Sequence, residues 1–177
     1  MSEPVDHEKP RENWGEPQVK TTTWYHPAAS IRDRVGLSGI EYLQGILDGS
    51  FPPPPIAAVV GAELISFSEG EALFRCRPEP AFLNPLGLVH GGLLCTLMDT
   101  AMGVAVQTRV AADVGYATIE LKVSFLAPLP DDGRAIDVRG KTQRVGRRIA
   151  FAEAHAHAED GRLVGHATSS LLAMRAD

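Results

Sequence analysis

The chain has 177 residues, 44% of them hydrophobic, which suits one compact domain with a sizeable core. A formal charge of −5 argues against a general nucleic-acid binder, and two cysteines, Cys76 and Cys95, do not make a disulfide scaffold. No apolar run reaches the length of a membrane span, and the polar start MSEPVDHEKPREN does not read as a signal peptide, so a soluble cytoplasmic protein is expected.

Residues 1–56 read as an N-terminal extension and residues 57–177 as the main domain. The first thirty residues scatter Pro, Glu and Lys around Trp14 and Trp24, as a loose segment laid across the body with the tryptophans as anchors. A short helix is expected at about 39–48. Ser38 caps it, Glu41 takes the third helical position, and Leu37 with Tyr42 fits a hydrophobic staple. Ile40, Leu43 and Leu47 share a face, which would dock this helix on the domain or set it beside a ligand pocket. Gly49 and the run Pro52–Pro55 stop it and form a linker.

Ala58–Ser66 and Ala72–Arg77 read as a hairpin turning near Glu69-Gly70. Pro78, Pro80 and Pro85 lead into an apolar helix of roughly Gly91–Thr108. Four strand candidates follow: Tyr116–Leu126, Ala135–Arg144, Arg148–Glu159 and Leu163–Ala173. Turns at Pro128–Gly133, Val145-Gly146 and Asp160-Gly161 separate them. These connections are too short for crossover helices, so the order β-β-α-β-β-β-β calls for an α+β fold, an antiparallel sheet with one long helix on a face. Ala150, Ala152, Ala154, Ala156 and Ala158 fall on one strand face and let a helix or a neighbouring subunit approach closely.

The stretch Asn84–Gly103, NPLGLVHGGLLCTLMDTAMG, carries the candidate chemistry. At a helix start the first N–H groups lack internal acceptors, and Gly91 and Gly92 have no Cβ to keep an oxygen away. With the helix dipole this suits an oxyanion, although paired glycines also answer the plain need of a tight turn. Asp99 is the one acid in an apolar helix. It lies eight residues past Gly91, about 12 Å along the axis, too far to share a reaction centre with the donors of its own helix. Joint chemistry would require a second, antiparallel copy across a two-fold axis. The plainer alternative bonds Asp99 to Thr96, Thr100 or the backbone of a neighbouring element. His90 is a base, a ligand or a brace for the junction, and Asn84 positions a substrate or a water, or simply forms the turn before Pro85. Cys95 reads as a small core residue. His155 and His157 share a strand face with no third ligand nearby in sequence, and read as surface or interface residues with no metal.

Asn84, Gly87, His90-Gly91-Gly92 and Asp99 with Ala101 and Gly103 resemble the signature of hotdog-fold acyl-CoA thioesterases of the phenylacetate-pathway (PaaI-like) type. Gly146–Ala154 with Asp160-Gly161 and Leu163-Val164 is similar to that family's closing hairpin, and the likeness covers about residues 57–173. The resemblance implies a long central helix wrapped by a curved antiparallel sheet, in dimers and commonly tetramers, with an acyl-CoA substrate and neither metal nor other cofactor. It implies that the Gly91 N–H polarises the thioester carbonyl, and that Asp99 of the partner subunit acts as general base or nucleophile. Asn84 would position the water or the thioester and His90 would stabilise the carbonyl site. A hydroxyl that orients the water in some members falls at Thr118. Five basic residues lie within Arg139–Arg148, and Arg147 and Arg148, at the turn the family often sets near the nucleotide, are the pair implied for the coenzyme A phosphates, with Gly92 beside the site. The acyl group expected is small and aromatic, or short to medium in chain. The same fold also carries hydratases, dehydratases and non-catalytic acyl-CoA sensors.

Overall fold

The computed structural model describes residues 15–112 and 114–175. A single antiparallel sheet is built from β1 (Ala62–Ser68), β2 (Glu71–Cys76), β3 (Val114–Phe125), β4 (Ile136–Val145), β5 (Ile149–Ala158) and β6 (Leu163–Arg175), in the spatial order β1-β2-β4-β5-β6-β3. Ahead of it lie three short helices, α1 (Ala28–Asp33), α2 (Gly39–Leu47) and α3 (Pro55–Val60). The long helix α4 (Gly91–Gln107) enters between β2 and β3.

Helix α4 is apolar on most sides, and the sheet covers it. Leu97, Met98, Ala101, Met102, Ala105 and Val106 have no exposed surface. The alanine stripe of β5 faces it: Ala150, Ala152, Ala154 and Ala156 are at most 2% exposed, while Ala158 at the strand end is half-buried. Small residues are required because the helix comes down to backbone contact. A Cβ at Gly140 of β4 would lie 2.2 Å from the Ala101 carbonyl oxygen. The helix end is tied to the sheet where Thr108 Oγ1 accepts the Gly70 N–H at 2.7 Å, in the β1–β2 turn.

Strand β1 starts at Ala62, not Ala58. The residues before it form α3, since Pro55 at the first helical turn has the φ a helix wants and no N–H to lose. Gly61 ends that helix in the left-handed region (φ 68°). In α2 the capping box is complete: Ser38 Oγ accepts the Glu41 N–H, and the Ser38 N–H donates to Glu41 Oε2 at 2.7 Å. A Cβ at Gly39 would sit 1.7 Å from the Gln107 carbonyl oxygen, so α2 is seated directly on the end of α4. Further upstream, Lys20 pairs with Glu79 and lies over the Phe82 ring. Trp24 is 52% exposed and does not anchor the segment; Trp14 lies outside the described residues. Among the described residues no helix is long and apolar enough to cross a membrane.

Candidate active site

The loop before α4 is laced by its own backbone and by Asn84. Asn84 Oδ1 accepts the N–H groups of Leu86 (2.8 Å) and Leu88 (3.2 Å), the Asn84 N–H donates to the Leu88 carbonyl, and the His90 N–H donates to the Phe82 carbonyl. The side-chain oxygen of Asn84 thus forms the turn, and its Nδ2 hydrogens are the donors left for a ligand. His90 is the helix cap. Its Nδ1 accepts the Gly92 N–H at 2.8 Å, so the ring braces the entrance and occupies the Gly92 donor. Leu93 N–H bonds the His90 carbonyl, which leaves Gly91 N–H as the donor without an acceptor among the described residues. The ring of Phe125, itself 55% exposed, rests on Gly91, where a Cβ would lie 2.9 Å from Cζ.

Asp99 is half-buried on the side of α4, and its Oδ1 accepts a 2.7 Å hydrogen bond from Thr118 Oγ1 on β3. The neighbouring hydroxyls are engaged elsewhere. Thr96 Oγ1 donates to the Gly92 carbonyl and Thr100 Oγ1 to the Thr96 carbonyl, each one turn back along the helix. The partner of Asp99 is therefore a side chain from another element, Thr118 of β3. Cys95, expected in the core, is only half-buried. Burial pushes its thiol above the ordinary range, and the charge of Asp99 acts in the same direction.

Asp99 and Thr118 open onto a cavity of about 670 Å³. Gly103, Val104 and Gln107 continue the wall of α4 away from Asp99. Tyr42, Ile46 and Leu47 of α2 and the prolines at 52–55 line the cavity as well. The N-terminal segment therefore borders the pocket, which the shared face of Leu43 and Leu47 allowed but did not decide. Tyr116 was not singled out in the sequence. It lines the cavity, and its hydroxyl donates to the Gly146 carbonyl at 3.0 Å, linking the cavity wall to the turn that carries Arg147 and Arg148. Both arginines are exposed. His155 and His157 lie on the outer side of β5, with the His166 ring 4.8 Å from that of His155. Among the described residues no group of three or more His, Cys, Asp or Glu could hold a metal ion.

A thioesterase superfamily model matches residues 86–165, the span that includes α4 and most of the sheet. A candidate esterase of Pseudomonas aeruginosa is 33% identical over 101 residues, which cover 57% of this chain and 74% of that protein. A second, from Halobacterium salinarum, is 35% identical over 105 residues, 55% of this chain and, at 66%, just under two thirds of the relative. Among solved structures, a candidate thioesterase related to phenylacetic acid degradation from Ralstonia eutropha superposes with a TM-score of 0.68 at 27% identity, covering 74% of this chain and 98% of that one. With the sheet order, the buried central helix and the Asp99 pocket, these likenesses place the chain in a family: it belongs to the hotdog-fold thioesterase superfamily, in its PaaI-like branch.

Proposed function

We propose that the protein hydrolyses acyl-CoA thioesters to the free acid and coenzyme A, in a site shared by two subunits. The observation that carries this reading is the carboxylate of Asp99, fixed by Thr118 at the wall of a large and mostly apolar cavity. The thioester carbonyl oxygen takes the Gly91 N–H, whose position at the start of α4 adds the helix dipole. Asp99 of the partner subunit removes a proton from a water whose oxygen attacks the carbonyl carbon. The tetrahedral oxyanion then collapses and expels the coenzyme A thiolate, which takes up the proton. The same placement serves direct attack by Asp99 followed by hydrolysis of the anhydride. Thiolate leaves readily, so the scheme asks for no strong general acid and no metal.

His90 and Asn84 enter as positioning groups, the first by bracing the entrance and the second through its Nδ2. Arg147 and Arg148 offer guanidinium forks to the coenzyme A phosphates, and the Gly92 backbone lies beside the site. The assembly is a homodimer at least, with a tetramer as the larger form. Support comes from β3, a twelve-residue strand paired among the described residues on one side only, by β6, with Ile119 57% exposed. The free thiols of Cys76 and Cys95 suit work in the reducing cytoplasm. The test is thiol release from acetyl-, hexanoyl-, benzoyl- and phenylacetyl-CoA. Wild type is expected to release thiol and Asp99→Ala to lose roughly a hundredfold or more in kcat. Equal rates for the two proteins would sink the assignment, and tight binding without release would make the protein a sensor.

A further inference from the structure

We infer that the N-terminal segment makes the Asp99 cavity into an acyl chamber whose depth is set by Gly103, and that the preferred thioesters carry a straight apolar tail of medium length. The inference rests on the thioesterase reading and deepens it.

Glycine is the poorest non-proline residue for a helix interior, and Gly103 sits well inside α4. Among the described residues no contact accounts for it. Its backbone is not in the left-handed region, and a Cβ there would meet no atom within 4 Å. Gly39 and Gly140 differ, since each has backbone atoms within 3 Å of where a Cβ would stand. The space that Gly103 leaves open belongs to the cavity. It lies one turn, about 6 Å, beyond Asp99, in the direction a tail would run from a carbonyl held near that carboxylate.

The α2 wall is rigidly held. Helix α2 is seated on Gln107 through Gly39, the Phe51 ring packs on Gly45, and Tyr42 stacks with Phe51 at 5.5 Å. Leu43, Ile46, Leu47, Leu64, Phe74 and Val104 give the chamber apolar sides, while Arg34 and Glu63, the charged groups that border it besides Asp99, are solvent-exposed. The volume of about 670 Å³ falls within the range of small-molecule sites, roughly 300–1,000 Å³. The span matched by the family model, 86–165, includes Asp99 and Gly103, and the α2 wall lies upstream of it.

The experiment measures kcat/KM for acetyl-, hexanoyl- and decanoyl-CoA with wild type, Gly103→Leu, Leu47→Trp and Asp99→Ala. Wild type should favour hexanoyl- or decanoyl-CoA over acetyl-CoA. Gly103→Leu, which fills the chamber from its floor, should lower that preference at least roughly tenfold. Leu47→Trp should lower it from the roof, at a residue already 39% exposed and outside α4. An unchanged preference in both variants, with Asp99→Ala inactive, overturns the chamber and leaves the thioesterase standing. A uniform loss on all three substrates, with a changed oligomeric state in Gly103→Leu, overturns it too, by giving the open space to the partner subunit. Release that Asp99→Ala does not diminish defeats the underlying reading, and the chamber with it.

Discussion

Thr118 and Asp99 meet across the gap between β3 and α4, and the direction of that bond decides what Thr118 can do. The hydroxyl donates to a carboxylate, so it fixes one Asp99 oxygen and leaves the other free to face a water. A hydrogen bond to a charged group is worth about 1.5–3 kcal/mol. Thr118→Val, which keeps the shape and removes the donor, should therefore lower kcat about ten- to a hundredfold with little change in KM, and Thr118→Ser should restore most of it. A loss in Thr118→Ser as large as in Thr118→Val would assign the threonine to packing. The glycines of α4 and its neighbour make a sharper contrast. Gly140→Ala drives a Cβ into the Ala101 backbone, where no side chain can swing aside, and should cost about 3 kcal/mol or more in urea unfolding. Gly103→Ala meets open space and should be neutral or stabilise by up to about 1 kcal/mol.

At the scale of elements, β2 and β4 are pinned across their outer faces by Arg75 and Asp137, whose two hydrogen bonds are both 2.7 Å. The guanidinium holds the Asp137 carboxyl below its ordinary range, with partial burial opposing it. The native state thus keeps this charge at lower pH than the unfolded chain does. Its stabilisation is complete above the unfolded value of about 3.9 and is lost as pH falls through the lower folded value. The side chains are 44% and 35% exposed, so Asp137→Asn should cost no more than about 1 kcal/mol at pH 7. That gap should narrow as the pH drops below about 4, as read by denaturation at a series of pH values. The chain order of the strands could be read because alternation, Gly turns and short connections agree along β3 to β6, but the pairing of β3 with β6 at the sheet edge, and not with β4, could not. Helix α3 could not be read in this way. Ile56–Val60 is an apolar run with no period of its own, and only the cap geometry of Pro54 and Gly61 separates a helix from a strand there. The entrance residues His90, Gly91 and Asp99 were legible as candidates because their types are odd where they stand. The roof over Asp99 was not, since Tyr42 and Leu47 come to line the same cavity as Gly103 only once α2 has docked on α4.

The whole molecule raises the question of where one active site ends. Gly91 and Asp99 are separated by about 12 Å along α4, too far for one thioester carbonyl to meet both within a protomer. If the site is shared, a heterodimer of two differently broken subunits must contain one intact site and one doubly broken site. Asp99→Ala breaks the carboxylate half. Gly91→Pro breaks the other half, because it deletes the donor at the first helical position, where proline is tolerated and the extended His90 (ψ 133°) suits it. Phe125→Ala in the same chain removes the ring that proline would strike. Each variant alone should be inactive. Unfolding them together and refolding should give half heterodimers, hence about a quarter of the wild-type specific activity. Subunits that carry out the chemistry alone would give none after mixing, and a return near a quarter can arise only if Asp99 of one copy serves Gly91 of the other.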